Sequence, residues 1–251
     1  MTNLRKLIKL ESSIHLPIPI IELRFILLIA VSFFLFCSAT TGTNLRDIKT
    51  FDLQNALLYP FGISVLNTTA RTLLFLEAIA MSMLISMSMA GDLNSGFAET
   101  MLSYPISRKE LLTSKAILYL AILVATNIIA ISLGILFSPF TYPSWVIGLY
   151  LIIAVAKSFF IISSALLASI TFKKPIPSAM VLTFFWFGLS IFGSAIPTPS
   201  KYLFLPEDLI MTKIAWTDTV FGLVGIFVLS IVMFLTAVQT FRKLPIMREQ
   251  T

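Results

Sequence analysis

GDLNSGFAETMLSYPISRKELLTSK, residues 91–115, is the most polar segment lying between two long apolar runs. Its spacing predicts a short amphipathic helix, a proline turn and the start of a second helix. Asn94 or Ser95 can accept hydrogen bonds from the first free backbone N–H groups of the short helix. Phe97, Met101 and Tyr104 recur at helical spacing and share one face, with Ala98 and Leu102 beside them; Glu99, Thr100 and Ser103 fall on the other. Pro105 ends this helix by biasing Tyr104 out of the α region. Ser107-Arg108-Lys109-Glu110 then reads as a capping box, flanked by Ile106 and Leu111 as a hydrophobic staple. Two readings of the stretch stand side by side: a solvated loop between two membrane spans, or a built contact surface.

The rest of the chain explains the contrast. Of its 251 residues 57% are hydrophobic and only 12% charged, and its mean hydropathy is +0.95. Ordinary soluble domains carry charge on about a quarter of their residues, so this composition calls for lipid as solvent. The apolar runs are near helix length and lack an alternating polar period, which favours an all-α integral membrane protein over an outer-membrane barrel. Cys37 is the only cysteine, so no intrachain disulfide can form.

Windows of about 20 apolar residues, the length that crosses about 30 Å of hydrocarbon, predict six transmembrane helices: 20–40, 68–90, 114–137, 145–172, 178–196 and 219–241. Before them, residues 1–16 alternate apolar Leu4, Leu7, Ile8 and Leu10 with Arg5, Lys6 and Lys9, the pattern of a helix lying in the headgroup plane. Residues 197–218 form a long external segment too apolar for a free loop, which predicts re-entrant or interfacial helices interrupted at Pro206.

With the N-terminus inside, the inner segments carry Arg5, Lys6, Lys9, Arg24, Arg108, Lys109, Lys115, Lys173, Lys174, Arg242, Lys243 and Arg248. The outer ones carry only Arg46, Lys49, Arg71, Lys201 and Lys213. Positive charge gathers on the cytoplasmic side. The expectation is therefore a multi-pass protein of the cell (plasma) membrane with both termini cytoplasmic. The same asymmetry accounts for the +6 net charge without nucleic acid as a partner.

Charges within spans are costly and are usually paired or functional. Glu77 in the second span and Lys157 in the fourth lie at compatible depths, so they form a candidate intramembrane charge pair. Packing, a substrate-facing role and snorkelling of Lys157 are the alternative uses. Ser82, Ser86 and Ala90 recur every four residues in the second span, where small residues let helices approach closely.

From Asp92 to Lys115 the chain resembles the permeases of the type-two ATP-binding-cassette (ABC) exporter family. The resemblance rests on Gly91-Asp92, Ser95-Gly96, Glu99, Leu102-Ser103-Tyr104-Pro105-Ile106-Ser107-Arg108-Lys109-Glu110-Leu111-Leu112 and Lys115; Asn94 and Phe97 depart from the family pattern. It implies one permease domain over residues 1–251, with a cytoplasmic coupling helix in 92–106 that seats on an ATPase. The coupling residues carried over are Asp92, Asn94, Ser95, Gly96, Phe97, Glu99, Thr100, Met101, Ser103, Tyr104, Arg108 and Lys109. Phe184, Phe187 and Ser190 fall in the fifth span, where the family tends to form its dimer seam or cavity wall. The chain has no P-loop of its own. The resemblance thus implies no cofactor on this chain, ATP and Mg on two copies of a separate ATPase subunit, and a second permease that is a copy or a paralogue.

Other classes fit less well. An intramembrane enzyme is opposed by a single histidine, His15, which excludes paired-His metal sites, and by the lack of a G-x-S-x-G motif, so neither catalytic nor metal residues are expected. A non-ABC carrier or a structural membrane protein is the remaining alternative; inverted repeats or broken, charged helices would mark a carrier.

Overall fold

The computed structural model describes Phe75 and residues 77–102, 106–137, 144–192 and 216–244. The expected interfacial helix (1–16), first span (20–40) and external segment (197–218), together with Ser103 and Tyr104, lie outside the described residues. All regular structure among the described residues is helical. Residues 77–85 (α1) run through a π-helical turn, Ser86–Ala90, into α2, Gly91–Ser95. Then come α3 (Phe97–Leu102), α4 (Arg108–Phe137), α5 (Ser144–Phe172), α6 (Pro175–Phe192) and α7 (Trp216–Lys243).

Three stretches, Arg108–Ile129, Ile147–Phe172 and Val220–Lys243, are long and apolar enough to cross a membrane. Helix is the form such sequences must take in hydrocarbon, because it pairs every backbone N–H and C=O within the segment. These are features of an α-helical membrane protein.

The core is centred on α5, which packs against α4, α6, α7 and the π turn. Ala156, Phe160, Ile161, Ile162, Ala165 and Leu166 of α5 are buried. Phe160 stands edge-on to Trp186 of α6, ring centres 5.8 Å apart. Small polar side chains bring three elements close at one level. Ser178 of α6 shares hydrogen bonds with Ser86 of the π turn at 3.0 Å and with Ser169 of α5 at 3.4 Å. Close approach of small residues, sealed by hydroxyl pairs, is how helices associate where water cannot drive them together. Helix α7 lays Leu223, Ile226, Ala237, Val238 and Phe241 into the core and turns Phe221, Val224, Val228 and Val232 outward.

The helix connections among the described residues gather at one end. A two-residue link, Lys173-Lys174, joins α5 to α6, and Pro175 opens α6 at the first helical position, where its missing N–H is not needed. Lys173 sits in the left-handed region at φ 55° while its N–H still bonds the Ser169 carbonyl at 3.0 Å. The α2–α3 break and the start of α4 lie at the same end, because Arg108 bonds carbonyls at the end of α7.

The capping box forms as its chemistry requires. Glu110 N–H donates to Ser107 Oγ at 3.2 Å, and Ser107 N–H donates to Glu110 Oε2 at 2.9 Å. Leu111 is buried, and Ile106 packs on the core beside it. Ser107→Ala is expected to lower stability by about 1 kcal/mol, read as a lower thermal midpoint of the detergent-solubilised protein.

Candidate functional site

The polar stretch is a bent arm fastened to the helix bundle at both sides. The helix before it does not end at Ala90, the bound expected for the second span. The π turn and α2 carry it as continuous helix to Ser95, with Gly91 at right-handed φ −62° and ψ −47°. The break comes at Gly96, whose φ of 76° is left-handed and suits glycine. Ser95 Oγ then accepts the Phe97 N–H at 3.4 Å, and Thr100 N–H reaches the Gly96 carbonyl at 3.2 Å, so the second half of the arm restarts at once as α3.

Two fastenings hold the arm. Ser88 and Asp92 lie four residues apart, on one face of the continuous helix, and both engage Lys115 of α4. Lys115 Nζ is 2.9 Å from Asp92 Oδ2 and donates to Ser88 Oγ at 3.0 Å. The Lys115 side chain is 1% exposed and Asp92 17%, so this is an ion pair within the protein, not at its surface. The second fastening is Arg108, whose Nη1 bonds the carbonyls of Phe241, Arg242 and Leu244 at 3.2, 2.8 and 2.7 Å. These are the orphan acceptors at the end of α7, where the helix dipole is negative, and a cation satisfies both demands.

The residues expected at the coupling surface therefore sort into groups. Asn94, Ser95, Phe97, Thr100 and Lys109 are exposed. Met101 is buried together with Ala98, which anchors α3 on the core. Asp92 and Arg108 are engaged with the bundle itself, and Gly96 supplies the bend. Nothing is described of the Glu99 side chain, nor of Ser103 and Tyr104. The sequence reading counted Lys115 as an inner charge and as the last residue of the family resemblance, without a partner for it. Its partner was signalled by Asp92, an acid of opposite sign at the end of the preceding span.

A second polar cluster lies deeper. Asp92 follows Glu77 by fifteen residues, about 22 Å of helix axis at 1.5 Å per residue. Lys157 Nζ of α5 is 3.5 Å from Glu77 Oε2, with both side chains buried. Asn127 of α4 donates Nδ2 to the same oxygen at 3.0 Å and to its own-helix Leu123 carbonyl at 2.9 Å. Three helices thus meet at one carboxylate oxygen. Glu77 Oε1 and Asn127 Oδ1 are buried with no hydrogen-bond partner, leaving two acceptors open to a donor. Asn127 went unremarked in the sequence, although an amide in an otherwise apolar helix face is itself a signal.

The candidate seam on α6 is divided. Phe184 is 72% exposed. Phe187 is partly exposed and stands edge-on to Phe75, centres 5.1 Å apart. The Ser190 side chain is not described. Among the described residues no group of three His, Cys, Asp or Glu could hold a metal ion. Compared with known proteins, the chain matches no family model and no curated sequence.

Proposed function

We infer that the chain is the transmembrane permease subunit of an ABC exporter, coupling ATP hydrolysis by a separate ATPase to substrate export by alternating access. The observation that carries this reading is the arm at residues 91–115. It presents Phe97 and Thr100 outward while its own end is held to α4 by Asp92–Lys115 and α4 is held to α7 by Arg108. A push on the outer face of α3 reaches the second, third and last helices as one body. The resemblance of residues 92–115 to type-two exporter permeases supplies the identity of the pusher.

On this reading the chain spans the plasma membrane six times with both termini cytoplasmic. It works with a second permease, itself or a paralogue, and two ATPase subunits that hold ATP and Mg. ATP closes the ATPase pair, the seated α3 helices move, and the shared cavity changes its side of access. Substrate must prefer one of the two states, or the cycle does no transport.

The test is co-purification of the tagged full chain from its native host. A P-loop ATPase is expected in the complex. Phe97→Asp with Glu99→Arg is expected to cut its recovery at least about tenfold, the consequence of losing about 1.4 kcal/mol at an interface. Unchanged recovery and unchanged ATPase activity would exclude the assignment. A second reading, a carrier not driven by ATP, draws on the buried Glu77–Asn127–Lys157 cluster and is separated by transport that persists in ATP-free vesicles.

A further inference from the structure

At the basic end of the bundle, between the last turns of α5 and α7, lies an open groove of about 380 Å³. That is within the ~300–1,000 Å³ range of small-molecule sites. Its rim carries Lys173 and Lys243, and no carboxylate lines it among the described residues. Neither lysine has an ion-pair partner among the described residues. Lys174 and Arg242, both exposed, lie next to them in sequence and add to the positive field.

We propose that this groove binds the headgroup of an anionic phospholipid, with its phosphate held between Lys173 and Lys243. Two independent features point there. The first is the backbone of Lys173. At φ 55° it occupies the left-handed position that glycine or asparagine usually fills after a helix. Glycine would be less strained there, and a role for the ammonium group accounts for a lysine at this position.

The second is the grading of the groove with depth. Thr236 precedes Lys243 by seven residues, about 10 Å along the axis, so the groove runs from the cationic rim toward the apolar body of the bundle. Thr171, Thr236 and Thr240 donate their hydroxyl protons to carbonyls of their own helices. Their oxygens remain acceptors, suited to headgroup hydroxyls. Gln239 adds an amide donor, and Ile170 and Leu244 give the groove apolar walls. A free phosphate would use only the rim; a phospholipid uses the whole length. Basic recesses between helices at the inner leaflet are suited to such headgroups. The site depends on the helices lying in a bilayer and is independent of the ATP-driven reading.

The experiment is native mass spectrometry of the full chain in detergent micelles carrying equal phosphatidylglycerol and phosphatidylcholine. Phosphatidylglycerol is expected to be retained over phosphatidylcholine, and each rim lysine replaced by Gln is expected to cost about fivefold in retention, about thirtyfold together. Lys174→Gln with Arg242→Gln removes equal charge outside the groove and is expected to keep most of the preference. Lys173→Gly relieves the backbone, so it is expected to hold or raise the thermal midpoint while losing lipid. Equal loss in both double variants would reduce the effect to diffuse surface charge and overturn the site. Displacement of the lipid by excess inorganic phosphate would overturn the lipid assignment in favour of a free anion.

Discussion

Lys115→Met is expected to destabilise the detergent-solubilised protein by about 3–5 kcal/mol, because it strands a carboxylate whose charge was compensated inside the protein. The side chain of Asp92 is 17% exposed, and its Oδ2 sits 2.9 Å from the lysine. Ser88, whose hydroxyl accepts from the same ammonium, loses that donor too. The effect is local in chemistry but wide in reach, since this contact ties α4 to the helix before it. The partner variant Asp92→Asn with Lys115→Met is expected to recover a large part of the loss, since it removes the isolated charge along with the pair. A double-mutant cycle on denaturant midpoints measures this directly, and neighbours in one network show coupling of about 0.5–3 kcal/mol. Additive losses would mean that the two groups do not interact. The exposed neighbour Lys109, replaced in the same way, is expected to stay within about 0.5 kcal/mol of the parent.

Lys157→Met is the second large loss, again about 3–5 kcal/mol, because Glu77 is then a buried carboxylate without its counter-charge. Asn127 still donates to Glu77 Oε2 at 3.0 Å, but a single amide does not balance a full charge. Glu77→Gln together with Lys157→Met leaves only neutral groups and is expected to be the more stable of the two variants. The measurement is the thermal midpoint of each purified variant, with near-equal values counting against the pair. The unpartnered Glu77 Oε1 and Asn127 Oδ1 make transport a useful second readout. If the cluster serves packing alone, the double variant regains transport along with stability; if it contacts substrate, stability returns and transport does not.

Much of the local structure was legible in the residues themselves. Uninterrupted apolar windows of about 20 residues dictate helix in lipid, and α4, α5 and α7 follow those windows closely. The capping box was legible for the same reason: Ser107 and Glu110 are three residues apart, so no distant part of the chain is needed to form it. The face assigned to α3 was only partly right. Met101 is buried with Ala98, while Phe97, expected on the same face, lies at its edge and is 36% exposed. Helical spacing names a stripe but does not centre it on the core.

The second span was expected to end at Ala90, and the helix runs on beyond that bound to Ser95. Gly91 is held in right-handed geometry, and the helix breaks at Gly96. A glycine permits a break without requiring one. The next turn's Asp92 is secured by Lys115, and that tertiary contact favours continuation.

Side-chain chemistry along the chain was enough to specify a helical, lipid-soluble polypeptide with a capped polar arm, since periodicity and capping act over a few residues or by simple addition. Which cation faces inward depended on the packing. Arg108 reaches carbonyls more than 130 residues away, Lys115 closes on Asp92, and Lys173 with Lys243 frames a groove. Nothing local distinguishes these lysines and arginines from their exposed neighbours. Only the juxtaposition of helices distant in sequence sets whether a charge meets a carboxylate, a helix end or open space.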